Sequence, residues 1–407
     1  MATWANWVGN QSFKPREVVA VSSAGEIQQR VADAAAHRTR VRTVGTAHSF
    51  TPIVETDLLL DTSAMRGIVD VDAAQQLVRA LPKTTIGDFG EPLWEHGLAL
   101  ANQGDIDTQS IAGSVATATH GSGRRFPSFS ATLEGAKLVD GTGQLVEVTR
   151  QSHPDHLAAL QTSIGLLGIL TELSIKVAPA YHLHARTDIM PFDQVLETFE
   201  HDIDSYRHYG LFWMPTDESA RLYNLAGAGA DDCVVKRYLE VDPTDTIELE
   251  PNERIDRAYR IYPMVYDPNF HEVEYFLPLE RWRDILVEMR RLMLRWHPLS
   301  IYPLEIRLVA AEDAWMSPNY HRENLVVSIS GQPGAAYWPY LRACDSLFAE
   351  FGGRPHWGKL HFHDAGSLRG RYPRWNEFMD ARIRLDPTGT FANPHLDRVI
   401  GPVVRSS

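Results

Sequence analysis

In the first half of the chain, apolar and polar positions are spaced in a way that predicts short helices and strands in turn. Ser23 followed by Glu26 is a capping-box signature for the start of a helix. The apolar positions of that helix fall on one face, at Ile27, Val31 and Ala34. Short apolar runs bounded by polar or turn residues predict strands at 40–44, 58–60 and 76–81.

A second helix, a hairpin and a longer strand complete this part of the chain. Thr85 is the predicted N-cap of the helix and Gly97 its predicted end, and its apolar face is spaced by Ile86, Phe89, Leu93 and Trp94. The run "AKLVDGTGQLVEV" predicts a hairpin that turns at 140–143. The run "GILTELSIKVAP" predicts a strand ending at Pro179, with one apolar face made of Ile169, Leu173, Ile175 and Val177. We therefore predict a domain of alternating helices and strands over residues 10–179.

The second half of the chain predicts longer amphipathic helices that pack on a sheet. In 279–297 and 338–353, aromatic, leucine and methionine residues recur at helical spacing. Such stripes are typical of core packing rather than of a cofactor site. Together with the first half, they indicate an α+β protein of two domains, the second beginning at residue 180.

Composition and charge narrow the classes of partner. The 407 residues are 44% hydrophobic and 22% charged, as expected of a globular protein. A net charge of −13 disfavours a nucleic acid or an anionic membrane as partner. Cys233 and Cys344 are the only cysteines, and we find neither a signal-peptide pattern nor an apolar run of membrane-spanning length. We expect a cytoplasmic protein with a small polar ligand.

The segment from Gly104 to Gly123 has an unusual composition. From Ala112 onward, every residue except Val115 and His120 is Gly, Ala, Ser or Thr. Small residues let backbone N–H groups approach a flat or phosphorylated ligand, although a tightly packed loop without a ligand has the same composition. No GxGxxG motif follows a strand and no GxxxxGK[ST] motif is present, so neither a nicotinamide site nor a P-loop is supported.

Charged residues in two later segments indicate a site for a polyhydroxylated molecule. In "LEIRLVA", Glu305 and Arg307 share the face of a predicted strand opposite the apolar residues, where they are either solvated or part of a site. If "PHWGKLHFH" is extended, one face carries Trp357, Lys359, His361 and His363. His361 and His363 lack a carboxylate or third imidazole at ligand spacing, so we predict no metal site. Glu, Arg and Lys together fit the donors and acceptors of several hydroxyl groups.

Five motifs in order along the chain resemble a known family. They are "VRTVGTAHSF", "GDIDTQSIAGSVATATHGSG", "EIRLVA..D..MSPNYHR", "RPHWGK" and "RLDPTGTFANPHLDRVIG". Together they resemble the aldonolactone oxidase and alditol oxidase group of the vanillyl-alcohol-oxidase superfamily, which is FAD-binding and PCMH-type. The resemblance implies an FAD domain over 10–179, a helix-covered antiparallel substrate domain over 180–407, and a tail from about residue 354 that returns to the flavin. The segment from about 185 to 270 matches none of these motifs.

The resemblance also implies the cofactor site. His48 corresponds to the histidine that carries the flavin covalently through its 8α-methyl group, although some relatives bind FAD without that bond. The backbone and side chains that wrap the pyrophosphate correspond to Gly45, Thr46, Ala47 and Ser49. Residues of the small-residue stretch that line the flavin correspond to Gly113, Ser114, Thr117, His120 and Gly121. The remaining predicted cofactor contacts are Gly104, Asp105, Ser110, Ile169, His356 and Asn393. One departure is "RALPKTT" at 79–85, where relatives show "EAGT".

The same resemblance implies the reaction. Arg307 and Lys359 would stabilise the developing alkoxide as hydride leaves the substrate for flavin N5, and Glu305 would hold Arg307 and accept a neighbouring hydroxyl. We expect an aldono-1,4-lactone as substrate and O2 as acceptor, giving hydrogen peroxide. Gly104 favours O2 because related dehydrogenases carry alanine there. An alditol substrate, a dehydrogenase with another acceptor, and a carbohydrate-binding protein without catalysis remain as alternatives.

Overall fold

The computed structural model describes residues 3–225, 227–242, 247–264, 267 and 269–403. The α-helices are α1 (Ala24–His37), α2 (Gly90–Glu95), α3 (Ile111–Thr117), α4 (Pro154–Leu160), α5 (Phe192–Ser205), α6 (Ser219–Leu222), α7 (Ala258–Ile261), α8 (Trp282–Trp296), α9 (Trp338–Glu350), α10 (Ala365–Arg369), α11 (Trp375–Leu385) and α12 (Pro394–Val399). Short 3₁₀ turns occupy Gly87–Phe89, Phe129–Thr132 and Leu279–Arg281.

The strands are β1 (Trp4–Ala5), β2 (Ser12–Phe13), β3 (Glu17–Ala20), β4 (Val41–Thr43), β5 (Leu58–Asp61), β6 (Ile68–Asp72), β7 (Leu77–Ala80), β8 (Leu98–Ala99), β9 (Leu133–Val139), β10 (Leu145–Thr149), β11 (Ile169–Lys176), β12 (Ala178–Pro179), β13 (His182–Pro191), β14 (His208–Trp213), β15 (Asp232–Val241), β16 (Glu253–Arg257), β17 (His271–Pro278), β18 (Leu304–Val309), β19 (Asn324–Gly331) and β20 (Arg354–Pro355). The α+β class is confirmed.

The N-terminal half contains two sheets. A parallel sheet has the order β3-β5-β4, and an antiparallel sheet has the order β10-β9-β11-β7-β6. Helix α1 begins after Ser23, whose hydroxyl accepts the Glu26 N–H as predicted, and its apolar face packs against the parallel sheet. The sheet thereby fixes the end of β4, after which the chain turns into the "GTAHS" motif.

Two local predictions in this half are wrong. Thr85 does not cap a helix with its side chain; a 3₁₀ turn comes first, and the Asp88 carboxylate accepts the Thr85 N–H at 2.8 Å. The strand β11 does not keep one continuous apolar face, because its register shifts between Leu170 and Glu172. Ile169 therefore packs in the core beside α1, whereas the later apolar residues of β11 pack in the core of the antiparallel sheet.

The second half is built on one antiparallel sheet of eight strands, in the order β16-β13-β15-β14-β18-β19-β17-β20. Its large core contains residues of α5, α8 and α9, together with Val273, Tyr275, Ile306 and other residues of β17 and β18. The alternate positions of β17 and β18 therefore point to the opposite face, away from these helices. The predicted helices 279–297 and 338–353 correspond to α8 and α9.

The tail packs against the first half of the chain. Residues of α10, α11 and α12 share a core with the antiparallel sheet that contains β11. The condition of an extended "PHWGKLHFH" is not met along its whole length, because Lys359 N–H donates to His356 O in a turn. Pro355 belongs to β20 and Leu360 forms a bridge to Val273. The division of the chain into domains at residue 179 stays a prediction.

Cys233 and Cys344 are buried and unpaired with each other. Within the described ranges, the longest apolar helices fall short of what is needed to cross a membrane.

Candidate active site

The turn after β4 presents His48 at the side of a long cleft. Ala47 adopts φ 62°, a left-handed conformation that is uncommon for a residue with a side chain. Thr46 Oγ1 lies 2.9 Å from His48 Nδ1 and also accepts the Ser110 N–H at 3.2 Å. Burial, with a smaller effect from Lys359, lowers the pKa of His48 to about 4. The imidazole is therefore neutral at neutral pH, the state in which its nitrogen can act as a nucleophile.

The small-residue helix α3 forms the opposite wall of the cleft. A Cβ atom on Gly45 would lie 2.2 Å from Ser110 Oγ, so the two walls approach closely only because residue 45 is glycine. Ser114 Oγ and Gln109 Oε1 line the cleft, are buried, and have no hydrogen-bond partner among the described residues. Buried polar atoms of this kind are normally satisfied, so they indicate a ligand with polar atoms.

The cleft is free of acidic side chains among the described residues that line it, although the chain carries a net charge of −13. Its permanent cations are Arg42, Lys83 and Lys359. Arg42 is committed to the backbone, because it donates to the carbonyls of Ile164, Gly165 and Phe391. The cleft has about 1280 Å³ of empty space, part of it open to solvent.

The segment 79–85, whose sequence "RALPKTT" differs from the "EAGT" of the relatives, also reaches the cleft. Lys83 Nζ donates to Val44 O at 3.1 Å and to Gly45 O at 2.7 Å. Burial lowers the pKa of Lys83, an effect that Asp61 partly offsets. A lysine ammonium has three N–H donors, so one remains beyond these two bonds. This edge of the cleft therefore keeps contact with the "GTAHS" turn in spite of its different sequence.

Most of the predicted cofactor residues line this cleft. They are Gly45, Thr46, Ala47, His48, Ser49, Ser110, Gly113, Ser114, Thr117, Ile169 and His356. Gly104, Asp105 and His120 instead line a second chamber beside the cleft. The cleft and the chamber share the lining residues Gln109, Thr119, His356 and Lys359, so they adjoin each other.

Two predicted cofactor residues line neither the cleft nor the chamber. A Cβ on Gly121 would lie 1.8 Å from Gln103 O, so this glycine serves close backbone packing on the far side of the loop. Asn393 caps α12 by accepting the Leu396 N–H at 2.8 Å, and its amide donates to Pro52 O and Glu55 O. A sequence motif does not separate such packing residues from ligand contacts.

The chamber brings together the three predicted catalytic residues. Glu305 and Arg307 are side by side on β18, with Glu305 Oε1 3.3 Å from Arg307 Nε. Lys359, in the turn after β20, reaches the same chamber and pairs with Glu272 on β17. Arg307 also contacts Glu274 on β17, at 2.5 Å between Nη2 and Oε2.

Glu272 and Glu274 are functional candidates that sequence reasoning missed. Both are buried, and Glu274 is 1% exposed. The run "HEVEYFLP" alternates them with Val273 and Tyr275, so the strand argument used for "LEIRLVA" would have found them. The prediction that Glu305 holds Arg307 is also incomplete, because Glu274 makes the shorter contact and Asp105 adds a longer one at 3.6 Å.

The carboxylates of the chamber differ in protonation. Burial disfavours ionisation of Glu274, but Arg307 and His120 outweigh it and hold its pKa well below the usual range. Burial raises the pKa of Glu305 to about 8, because Arg307 offsets it only in part and Asp105, Glu272 and Glu274 add to it. The chamber thus contains an ionised and a protonated carboxyl beside one guanidinium.

Histidines occupy the border between cleft and chamber. His120 Nδ1 lies 2.7 Å from Gly121 O, and its Nε2 lies 3.3 Å from Glu274 Oε1. Burial lowers the pKa of His356 to about 3, with Glu274 opposing this effect. In the part of the chain that the structure describes, no three His, Cys, Asp or Glu side chains are grouped as a metal site.

Comparison with known sequences identifies two regions. The profile of an FAD-binding domain matches residues 15–149, and that of D-arabinono-1,4-lactone oxidase matches residues 233–399. The L-gulono-1,4-lactone dehydrogenase of Mycobacterium tuberculosis is 32% identical, over 98% of this chain and 99% of that protein. The alditol oxidase of a Streptomyces species is 27% identical over 96% and 97%. The L-gulonolactone oxidase of Mus musculus is 24% identical, over 97% of each chain.

Comparison with solved structures gives the fold. Cholesterol oxidase from Brevibacterium sterolicum aligns with a TM-score of 0.83 over 98% of this chain and 96% of that one. The two sequences are only 14% identical in this alignment, so the match supports a shared fold and not a shared substrate.

The cleft fits FAD on its own chemistry. A cleft whose described lining has no carboxylate, and where Lys83 keeps one N–H donor beyond its two backbone bonds, suits a molecule that carries two phosphates, and glycine-rich walls suit a flat ring system. The unpaired Ser114 and Gln109 atoms supply hydrogen-bonding positions for its polar edges. The cofactor of this protein is FAD, and the chain belongs to the aldonolactone and alditol oxidase group of PCMH-type flavoproteins.

Proposed function

We propose that the protein oxidises a hydroxyl-bearing carbon of an aldono-1,4-lactone, with FAD in the cleft and the lactone in the chamber. The observation that carries this proposal is that the two spaces adjoin and share His356 and Lys359 in their linings. A substrate in the chamber would lie beside the cofactor and within reach of Arg307 and Lys359. When bound, FAD supplies the acceptor for the hydride that leaves the substrate carbon.

The ion pairs of the chamber support a neutral substrate. Arg307 is paired with Glu274, and Lys359 with Glu272, so the charge of each cation is already balanced by a carboxylate. A lactone or an alditol is neutral, whereas the aldonate formed by lactone hydrolysis carries a carboxylate. Placing that carboxylate among Asp105, Glu272 and Glu274 would cost electrostatic energy.

Each catalytic side chain has a role that follows from its surroundings. Arg307 and Lys359 stabilise the negative charge that develops on the reacting oxygen, and their carboxylate partners keep them in place before the substrate arrives. The raised pKa of Glu305 favours its protonated form, in which it can donate a hydrogen bond to a ring or carbonyl oxygen. His48 carries the flavin, as the resemblance implies, and its neutral imidazole suits that bond.

The names of the relatives allow two kinds of electron acceptor, O2 or another molecule, because one relative is named a dehydrogenase and others are named oxidases. We propose O2, since Gly104 lines the chamber without a methyl group. A Cβ there would have no atom closer than 3.6 Å, so Gly104→Ala tests this point without distorting the loop. We also propose a cytoplasmic location, which buried, unpaired cysteines favour.

A steady-state screen tests the proposed function. Purified yellow protein is assayed with lactones, alditols and aldoses, with peroxide detection and, separately, with a dye as acceptor. We expect turnover with lactones and peroxide formation. Turnover with alditols alone would move the assignment to the alditol class, and turnover with the dye but without peroxide would identify a dehydrogenase. A colourless protein would overturn the proposal.

A further inference from the structure

The first residues of the described chain lie across the His48 turn. Trp4–Ala5 pairs with Ser12–Phe13 as a small antiparallel hairpin, and the loop between them contacts the turn. We call residues 3–13 the N-terminal clamp. Sequence reasoning assigned it no role, because it precedes the first predicted helix and has no periodic pattern.

The clamp donates hydrogen bonds to four consecutive carbonyl groups of the turn. Ala47 O accepts the Trp7 N–H at 3.1 Å, and His48 O accepts the Trp7 indole N–H at 3.2 Å. Ser49 O accepts the amide of Asn6 at 2.9 Å. Phe50 O accepts from the amides of Asn10 and Gln11, both at 2.9 Å.

These carbonyls need external donors because of the shape of the turn. The left-handed Ala47 breaks any regular backbone ladder, and Phe50 is buried. A buried carbonyl without a partner is destabilising, so the clamp supplies what secondary structure does not. The amides of Asn6 and Asn10 are themselves fixed, since Asn6 Nδ2 donates to Asn10 Oδ1 at 2.7 Å.

The clamp also contacts the imidazole itself. The ring centroids of Trp7 and His48 are 5.1 Å apart, and Trp7 packs edge-on against Phe50 and Phe270. The His48 ring is therefore restrained on one side by Trp7 and at its two nitrogens by Thr46 and Thr108, whose hydroxyl lies 3.3 Å from Nε2. Trp4, in the same hairpin, lines the cofactor cleft.

We propose that the N-terminal clamp is a positioning element that holds the His48 imidazole toward the flavin, with Trp7 as its positioning residue. The inference rests on the proposed role of His48. It adds that the orientation of His48 depends on a segment outside the motifs that identify the family. The clamp acts through the turn and does not itself contact the reacting atoms of the substrate.

The experiment compares variants that remove the clamp contacts separately. Trp7→Phe removes the indole N–H but keeps an aromatic ring, whereas Trp7→Ala removes both. The double variant Asn10→Ala with Gln11→Ala removes both donors to Phe50 O. Gln28→Ala is the matched control, because its amide also donates to a loop carbonyl, Gly143 O, on a different part of the surface.

Two readouts separate positioning from general stability. Hydrogen exchange of a peptide covering 44–50 reports the turn directly, and the fraction of flavin that stays with the polypeptide after acid precipitation reports the orientation of His48. We expect at least tenfold faster exchange and at least threefold less retained flavin in Trp7→Ala and in the double variant. Trp7→Phe should be intermediate, and Gln28→Ala unchanged in both.

The outcomes distinguish the clamp from the proposed bond. If the unmutated protein releases its flavin in acid, the bond to His48 is wrong, and the rate of FAD dissociation replaces acid retention as the second readout. If Trp7→Ala fails to fold, Trp7→Phe and the double variant test the role of the clamp in its place. The proposal for the clamp would be overturned if hydrogen exchange at 44–50 were unchanged in the variants that fold. It would also be overturned if Gln28→Ala changed the two readouts as much as the clamp variants do.

Discussion

The cofactor cleft and the proposed substrate chamber adjoin each other but are built on opposite principles. The cleft is lined by backbone, small side chains and cations, with no carboxylate among its described residues. The chamber is lined by Asp105, Glu272, Glu274 and Glu305 beside Arg307 and Lys359. The lining changes from one kind of residue to the other at His356 and Lys359, which line both spaces.

The difference in lining matches the ligands that we propose for the two spaces. A cofactor with two phosphates is bound by N–H groups and cations that are left unpaired by protein carboxylates. A neutral polyhydroxylated substrate needs donors and acceptors held in fixed positions, and ion pairs provide both. In the chamber the charged side chains are matched to each other, whereas the cleft offers a ligand backbone N–H groups, hydroxyl groups and the remaining N–H of Lys83.

The largest expected effect comes from removing a cation of the chamber. Lys359→Met and Arg307→Met should each lower the rate of flavin reduction by the substrate about a hundredfold or more, since loss of one preorganised donor to a developing oxyanion costs roughly 3–4 kcal/mol. Rapid mixing under anaerobic conditions measures this rate. Lys176→Met, at an exposed lysine, serves as control. Near-normal reduction in Lys359→Met would mean that the chamber is not the reacting face.

The next effect tests Glu274, one of the two carboxylates that the sequence analysis did not identify. Glu274→Gln leaves the largely covered Arg307, whose side chain is 12% exposed, without its closest partner, so we expect a loss of about 3 kcal/mol in the free energy of unfolding and a higher KM. Denaturant unfolding and steady-state kinetics on the same variant measure both quantities. Val69→Gln, at an exposed strand position, should change neither. Unaltered stability and KM in Glu274→Gln would show that Arg307 is held by Glu305 and Asp105 alone.

A smaller effect is expected on the cleft side. Lys83→Met should weaken FAD binding about fivefold in a His48→Ala background, where flavin is free to dissociate, because a cation near the "GTAHS" turn is lost. The difference should shrink at high salt, as screening reduces the attraction between a lysine and phosphates. Equilibrium dialysis at two ionic strengths measures it. If, at low salt, the His48→Ala protein binds FAD with the same affinity whether or not it also carries Lys83→Met, this lysine has no role in cofactor binding.

The smallest effect concerns acid stability. Burial lowers the pKa of His395 to about 4, below the value of about 6.5 for an unfolded histidine. Between these values the unfolded chain binds the extra proton, so this contribution to stability is present above pH 6.5 and is lost as pH falls toward 4. Tm should fall across that window, and less steeply in His395→Gln. An identical pH profile for the variant would show that His395 does not contribute.

The two regions also differ in how far the sequence predicts them. The cleft is formed largely by short contiguous motifs, the "GTAHS" turn and α3, so local patterns identify most of its residues. The chamber is formed by β17, β18 and the turn at 356–359, which lie far apart in the chain. Alternation and resemblance identify Glu305, Arg307 and Lys359, and alternation also places Glu272 and Glu274 on one face of β17. That these two pair with Lys359 and Arg307 depends on strand order, which alternation does not reveal.

Local errors have similar physical origins. The register shift in β11 moves Ile169 into a different core from Leu173, and a bulge of this kind leaves no mark in an alternating pattern. The tail segment "PHWGKLHFH" has the composition of a strand, yet a turn at His356 gives Lys359 its position. The helices α1, α8 and α9 were predicted well because their apolar faces repeat over several turns.

If the cleft and the chamber form one site for a neutral lactone, that lactone must reduce the bound flavin directly. The direct measurement is an anaerobic titration of the yellow protein with L-gulono-1,4-lactone and, separately, with the aldonate obtained by hydrolysing it. We predict that the lactone bleaches the flavin in proportion to the amount added and that the aldonate leaves it oxidised. Bleaching by the aldonate, or an unbleached flavin with the lactone and with every other lactone or alditol tried, would contradict the account.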